Sequence, residues 1–220
     1  MWGAVVFVLS LLVNVFQYLK AHSNAFHLRL KRVRNWVTNR TVFWDVHLSF
    51  DCGSGKEQRT QALALAFHEL GKHFPLQVDR DLETDKVAYV DGVRFQLTLN
   101  DQSLEVHLTD QRVPYRETLK LLDAKILPLI EFLEERLPGA PSAYGLSVRF
   151  GADANPYKGL FLQRFQDLKV RAFTCSFYDA SPPSGGDVTV YEDSVSIVAG
   201  NRDAFRRLSE RYLALGAPRN

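Results

Sequence analysis

The sequence predicts an α+β protein in which a single N-terminal transmembrane helix precedes a cytosolic domain of two related lobes. Each lobe is expected to combine an antiparallel sheet with helices. Three observations predict this fold class: an uncharged apolar segment opens the chain, strand and helix patterns alternate twice along it, and its strands are too short for a parallel sheet buried on both faces. With 220 residues, 46% of them hydrophobic, the chain is long enough to bury a core.

The opening apolar segment indicates a membrane anchor over residues 1–20. Residues 2–19 carry no formal charge. As a helix, these 18 residues rise about 27 Å, which just spans a hydrocarbon core. Trp2 and Tyr18 lie near its two ends, where aromatic rings favour the headgroup level. A cleaved signal peptide and a buried helix are the alternatives, but the basic region that precedes the apolar part of a signal peptide is missing.

Basic residues all follow this segment. The first 44 residues contain six of them and no acidic residue: Lys20, Arg29, Lys31, Arg32, Arg34 and Arg40. The positive-inside rule then predicts a single-pass signal-anchor with the C-terminal domain in the cytoplasm. Residues 21–40 also carry apolar residues at helical spacing, which predicts a basic amphipathic juxtamembrane linker. This linker either lies on an anionic leaflet, with Lys20, Arg29, Lys31, Arg32 and Arg34 at the membrane surface, or packs on the domain.

Two lobes are predicted beyond the linker, at residues 41–138 and 142–216, separated by a Pro- and Gly-rich connection. In the first lobe, strands are expected at 42–50, 76–79, 87–90, 93–99 and 103–108, and helices at 57–74 and 116–137. Pro128 should kink the second of these helices. In the second lobe, strands are expected near 144–150, 160–165, 168–178, 187–191 and 194–198, followed by a helix at 202–214.

A weak internal repeat suggests that the lobes are related. Residues 98–106 align without gaps with residues 189–197, and residues 46–50 align with residues 146–150. In both halves the longer match covers a hairpin that is followed by an amphipathic helix. Because the order and type of element agree, we expect two copies of one arrangement.

A glycine-containing turn is the first candidate ligand site. Gly53, Ser54, Gly55 and Lys56 stand between a predicted strand and a predicted helix, where backbone N–H groups can hold a phosphate. The motif of a P-loop NTPase is absent, because Phe50 and Glu57 occupy the positions of its first Gly and its Ser or Thr. Three arginines on predicted strands are candidates for the same anion: Arg94, Arg149 and Arg171. A tight turn and a solvent-facing set of arginines are the alternatives.

Other chemistry is disfavoured by spacing. His68 and His73 are five residues apart, so they do not share a helix face as the histidines of a zinc protease do. The acidic residues between Asp79 and Asp85 do not match an EF-hand. Cys52 and Cys175 have no disulfide-framework spacing and are expected to be reduced thiols. We therefore predict no catalytic residue, no metal ligand and no cofactor.

These observations predict a membrane-anchored binding or regulatory module that acts through a protein partner or self-association and is not an enzyme. The first alternative is a membrane-coupled sensor of a nucleotide or another phosphorylated ligand, and the second is an enzyme of unreadable class. Beyond the first 44 residues the acidic residues outnumber the basic ones, so a nucleic-acid partner is not expected.

Overall fold

The computed structural model describes residues 2–51, 55–101, 103–137, 139, 141–150, 155–157, 172–180 and 185–213. Two helices open it, α1 at Trp2–His22 and α2 at Asn24–Thr38. Ser23 separates them and caps α2, because its hydroxyl accepts a hydrogen bond from the Phe26 N–H at 3.3 Å. The first strand, β1 at Thr41–Asp51, and the helix α3 at Lys56–His73 follow.

The remaining elements alternate between strands and short helices. The strands are β2 (Leu76–Asp81), β3 (Asp85–Val90), β4 (Val93–Leu99), β5 (Ser103–Pro114), β6 (Pro141–Arg149), β7 (Thr174–Asp179), β8 (Gly186–Tyr191) and β9 (Ser194–Ala199). A 3-10 turn at Tyr115–Glu117 leads into α4 (Thr118–Leu121), a π-helical turn (Leu122–Ile126) and α5 (Leu127–Arg136). The last helix, α6 at Arg202–Leu208, continues as a π-helical turn at Ser209–Leu213.

The break in the long predicted helix falls where proline chemistry places it. Pro128 has no N–H and cannot complete the regular ladder, and the π-helical turn Leu122–Ile126 lies directly before it. A π-helical turn thus adjoins this part of the helix, and the kink expected at Pro128 stays a prediction. The strand expected at 160–165 lies outside the described residues, and of the strand expected at 168–178 the part from Thr174 is present.

All nine described strands form one antiparallel sheet in the order β2-β3-β4-β5-β1-β6-β9-β8-β7. The prediction of two separate sheet-plus-helix lobes is therefore wrong. Strand β1 pairs with β5 on one side and with β6 on the other, so the halves join edge to edge. The apolar side chains of β1 and β6 face the same side, which lets one continuous core replace two small ones.

This sheet has one covered face and one open face. Along β1 the residues at even positions, Val42, Trp44, Val46, Leu48 and Phe50, are at most 2% exposed. They belong to a core that α3, α5 and α6 complete with residues such as Leu70, Ile130 and Phe205. The residues between them on β1 are partly exposed on the other side, which we call the open face.

The predicted membrane anchor is also wrong. Among the described residues, no helix combines the length and the apolarity that a membrane crossing requires. The stretch without a strongly polar residue ends before Asn14, so residues 2–13 rise only about 18 Å against a hydrocarbon core of about 30 Å. The predicted single-pass location with a cytoplasmic C-terminal domain depended on that anchor, so this prediction is wrong as well.

The predicted linker is mostly helical, and Leu28 of α2 packs against the core. Val33 and Val37 of α2 are 57% and 60% exposed, whereas Asn35 is buried. Arg29 and Arg34 are exposed, and the side chains of Lys20, Lys31 and Arg32 lie outside the described residues. The membrane-surface role expected for these five residues has no other support in the described structure.

Candidate functional site

Two histidines and a glutamate meet on the open face at the middle of the sheet. His47 lies on β1, and Glu105 and His107 lie on β5. The β1–β5 register places His47 opposite His107 and Ser49 opposite Glu105. Because side chains alternate along a strand, residues two apart on β5 share a face. The three functional groups therefore converge from two adjacent central strands.

The geometry of this His-Glu cluster (His47, Glu105, His107) is close. The two imidazole rings stack with centroids 4.6 Å apart and an interplanar angle of 20°. His47 Nε2 lies against Glu105 Oε2 within hydrogen-bond distance. One nitrogen or oxygen from each of the three residues lies within 4.8 Å of the others. Among the described residues, these three form the group of His, Cys, Asp or Glu side chains whose ligand atoms lie this close together.

Two serines orient the carboxylate. Ser49 Oγ and Ser103 Oγ donate hydrogen bonds to Glu105 Oε1, at 3.0 Å and 2.7 Å. This leaves Oε2 directed at His47. Burial alone would raise the pKa of Glu105, but the hydrogen bonds from Ser103, His47 and Ser49 outweigh it and lower that pKa. The carboxylate is thus held in its charged form.

The second imidazole is kept neutral by its surroundings. Burial lowers the pKa of His107, and the nearby His47 lowers it further, while Glu105 acts in the opposite direction. A neutral imidazole retains a lone pair on one ring nitrogen. The cluster therefore presents a carboxylate beside an imidazole that can act as a base or a ligand.

The other side of His47 is left open by a glycine. Gly145 on β6 lies opposite His47, and a Cβ at that position would come within 3.8 Å of His47 Nδ1. The His47 side chain is 44% exposed, whereas that of Glu105 is 15% exposed. A small molecule or ion in solution can therefore reach the cluster from the His47 side.

A β-bulge adjoins the cluster. The register of the β1–β5 pair shifts between Trp44 and Val46, and Asp110 adopts a positive φ of 56°. The Asp110 N–H donates to Asp45 Oδ1 at 2.8 Å, which fixes the bulge. Bulges are common beside functional sites because they redirect the strand locally.

Four of the seven residues predicted to bind a phosphorylated ligand are described, and they lie in two places. Gly55 precedes α3 and Lys56 begins it, whereas Gly53, Ser54 and Arg171 lie outside the described residues. Arg94 and Arg149 lie on the open face, near the start of β1, since Arg149 faces Phe43. The other end of β1 leads to Lys56, and the nine residues from Phe43 to Asp51 span about 26 Å.

The two described arginines also have partners. Arg94 donates to Thr109 Oγ1 at 3.1 Å, and Arg149 donates to Asp45 Oδ2 at 3.3 Å. Arg149 lies 5.5 Å from the centroid of the Phe43 ring as well. Among the described residues, Lys56 and these two arginines therefore lie toward opposite ends of β1.

The His-Glu cluster was missed by sequence reasoning, which predicted no metal ligand. The available signal was weak: Glu105 and His107 alternate on one predicted strand, and His47 occupies an outward position of another. Alternation shows that Glu105 and His107 share a face, but it does not show which strand lies beside them. The pairing of β1 with β5 is a feature of the tertiary structure.

A second surface feature is the apolar exterior of α1. Twelve large apolar side chains between residues 5 and 19 are 37% to 70% exposed. Phe16 contacts the Phe26 ring of α2 edge-on, with centroids 5.3 Å apart. Most of the α1 surface therefore faces away from the sheet.

Fold and site together define an α+β protein built on one antiparallel sheet, with a His-carboxylate cluster on its open face and an apolar helix at its N-terminus. Neither a known family model nor a curated protein sequence matches the chain.

Proposed function

We propose that this protein is a binding and regulatory module that acts by self-association through α1. The observation that carries the proposal is the exposure of twelve large apolar side chains on this one helix, among them Phe7 at 70% and Leu12 at 58%. Contiguous apolar patches on isolated proteins seldom exceed a few hundred Å². Burying such a surface against another protein surface is strongly favourable.

The size of the surface suits a stable association. At the exposures given above, the α1 side chains offer on the order of 1,000 Å² of mostly apolar area. A standard protein–protein interface buries about 800 Å² on each partner. The exposed area of α1 is therefore comparable with the share of one partner in a standard interface.

A second copy of the chain is the partner that the helix chemistry favours. Residues 2–19 carry no formal charge, so two copies of α1 do not repel each other. Ser10, Asn14 and Gln17 recur at i, i+4 and i+7 and form one uncharged polar stripe. Amide side chains both donate and accept hydrogen bonds, so this stripe is complementary to itself in a paired helix.

The test is the oligomeric state of the full chain, measured by sedimentation velocity across a concentration series. The wild-type chain should form a dimer or a higher oligomer at micromolar concentration. Val6→Glu and Val13→Glu place charges on the α1 face that carries this stripe, where both side chains are exposed, and should shift the dissociation constant upward by at least about 100-fold. Leu65→Glu is the matched control, because Leu65 is 59% exposed on α3, away from α1.

The outcomes separate the alternatives. A concentration-dependent oligomer that the α1 variants abolish and Leu65→Glu retains supports the proposal. A wild-type chain that remains monomeric overturns it. It is also overturned if α1 binds neutral lipid vesicles or a different protein while the chain itself stays monomeric.

A further inference from the structure

The geometry points to a binding site for a divalent transition-metal ion of the zinc class, formed by His47, Glu105 and His107 on the open face. The site lies at the centre of the sheet and is separate from the α1 surface proposed for self-association. It combines two imidazoles and one carboxylate whose candidate ligand atoms lie within 4.8 Å of one another.

The donor set selects the class of ion. Two imidazole nitrogens and one carboxylate oxygen are typical ligands of zinc and of other first-row transition metals. Magnesium and calcium prefer oxygen ligands throughout. A zinc ion about 2.1 Å from each ligand needs the ligand atoms about 3.4 Å apart. The candidate ligand atoms lie within 4.8 Å of one another, so ion binding requires a rearrangement of these side chains, and the 44% exposed His47 side chain has space to rotate.

The carboxylate is already oriented for one-oxygen ligation. Ser49 and Ser103 occupy Glu105 Oε1 with two hydrogen bonds, so Oε2 is the oxygen presented to the histidines. Outer hydrogen bonds of this kind commonly position metal-ligating side chains. In addition, β1 pairs along both edges, which holds His47 on a rigid backbone.

The site leaves a coordination position free. Three protein ligands leave the fourth position of a tetrahedral ion for water or another small molecule. Gly145 keeps the flank of His47 clear, since this position lacks the side chain that would contact the His47 ring. An open position distinguishes this site from the closed sites that only stabilise a fold.

The second half of the sheet provides an internal contrast. There, β6 pairs Gly145 with Val198 and Ser147 with Ser196 on the same open face. None of these four residues is a customary zinc ligand. The His-Glu cluster is therefore a property of the first half and not a consequence of the sheet architecture.

The test is zinc binding to the metal-stripped full chain, measured by isothermal titration calorimetry, with cobalt absorption as a second probe. The wild-type chain should bind one zinc ion per chain, and excess magnesium should not compete. His47→Ala, Glu105→Gln and His107→Ala should each weaken zinc binding by at least about 100-fold. His68→Ala is the matched control, since His68 is an exposed histidine on α3.

Circular dichroism of each variant separates loss of ligation from loss of fold. If His107→Ala unfolds, His47→Ala decides, because the His47 side chain is already 44% exposed. Stoichiometric binding that is lost in the cluster variants and kept in His68→Ala supports the site. A wild-type chain that binds no zinc at micromolar concentration, or variants that bind as the wild type does, would overturn it. Because α1 takes no part in this measurement, the result is independent of the oligomeric state.

Discussion

His47 and His107 stack face to face across the β1–β5 ladder, with their ring centroids 4.6 Å apart. One helix and three strands separate β1 from β5 along the chain. The two rings meet because the register places their Cα atoms opposite each other, on the face that the helices leave uncovered. The pairing brings two weak sequence features together into one cluster with Glu105.

The serines around Glu105 should tune metal affinity without being ligands. Ser49→Ala combined with Ser103→Ala removes both hydrogen bonds to Oε1 and frees the carboxylate to rotate. We expect zinc affinity to fall by about 10-fold, measured by cobalt or zinc titration. Ser147→Ala is the control, because Ser147 lies on β6 opposite Asp45 and is not a hydrogen-bond donor to the Glu105 carboxylate. Equal losses in both proteins would contradict the assigned role.

Asp85 should make stability depend on pH in the acidic range. Burial alone would raise the pKa of Asp85, but hydrogen bonds from Gln96, Arg80 and Thr98 outweigh it and lower that pKa below its usual 3.8. A carboxyl whose pKa is lower in the folded state stabilises the fold above the unfolded pKa. That stability is lost as the pH falls through the folded pKa.

The matching variant is Asp85→Asn. At pH 7 the free energy of unfolding should drop by about 1 kcal/mol, and at a pH below the folded pKa of Asp85 the difference from wild type should shrink. Urea unfolding at the two pH values measures this. Asp101→Asn, in the exposed turn before β5, should show no such difference. A deficit in Asp85→Asn that persists at low pH would rule out the electrostatic explanation.

Arg116 should anchor α2 to the domain. Its Nε donates to the Trp36 carbonyl at 2.7 Å, and its guanidinium lies 4.3 Å from the centroid of the Trp36 ring. A cation at a helix C-terminus also interacts favourably with the helix dipole. Arg116→Ala should cost about 1–2 kcal/mol and speed amide exchange in α2.

Two controls sharpen the test of Arg116. Arg116→Lys keeps the charge but loses the planar donor geometry, so it should recover part of the loss. Arg112→Ala removes a similar cation, 71% exposed, over the Phe43 ring, and should leave α2 unchanged. If amide exchange in α2 is the same in Arg116→Ala and wild type, the anchoring role is wrong.

Gly139 should be intolerant of any side chain. Its φ is +87°, and a Cβ there would lie 2.5 Å from the carbonyl oxygen of Asp51. Both the left-handed backbone and the collision disfavour alanine. Gly139→Ala should lower the free energy of unfolding by about 2–3 kcal/mol, measured by chemical denaturation. Gly200→Ala, where no atom lies within 4 Å of a new Cβ, should be close to neutral.

Glu134 should couple the two halves of the molecule. It lies on α5, accepts a hydrogen bond from Tyr144 on β6, and accepts another from Arg202 on α6 at 3.1 Å. Burial and the hydrogen bond to Glu134 raise the pKa of Tyr144, so the phenol remains a donor at neutral pH. Glu134→Ala should cost about 2 kcal/mol, because it leaves a partly buried donor unpaired.

The adjacent Glu135 provides the control for that substitution, since it is exposed on the same helix. Thermal unfolding of Glu134→Ala and Glu135→Ala should differ by several degrees. Equal midpoints would show that the contacts of Glu134 do not hold the halves together.

Sequence reasoning predicted many elements because they depend on local periodicity. The strand predicted at 42–50 is β1 at Thr41–Asp51, and the helix predicted at 57–74 is α3 at Lys56–His73. A π-helical turn interrupts the helix predicted at 116–137, shortly before Pro128. By contrast, the apolar N-terminal residues formed a helix but not a membrane span. Apolar side chains indicate that a surface is unfavourable in water, but they do not indicate which molecule covers that surface.

The sequence by itself determined which residues form strands and helices and which side of each strand is apolar, because these follow from side-chain alternation and local backbone chemistry. Only the tertiary structure decided that β1 pairs with both β5 and β6. That choice merges two expected lobes into one sheet and brings His47 to Glu105 and His107. Strand partners are selected by the packing of the whole core, and the periodicity of a single strand carries no record of its neighbour.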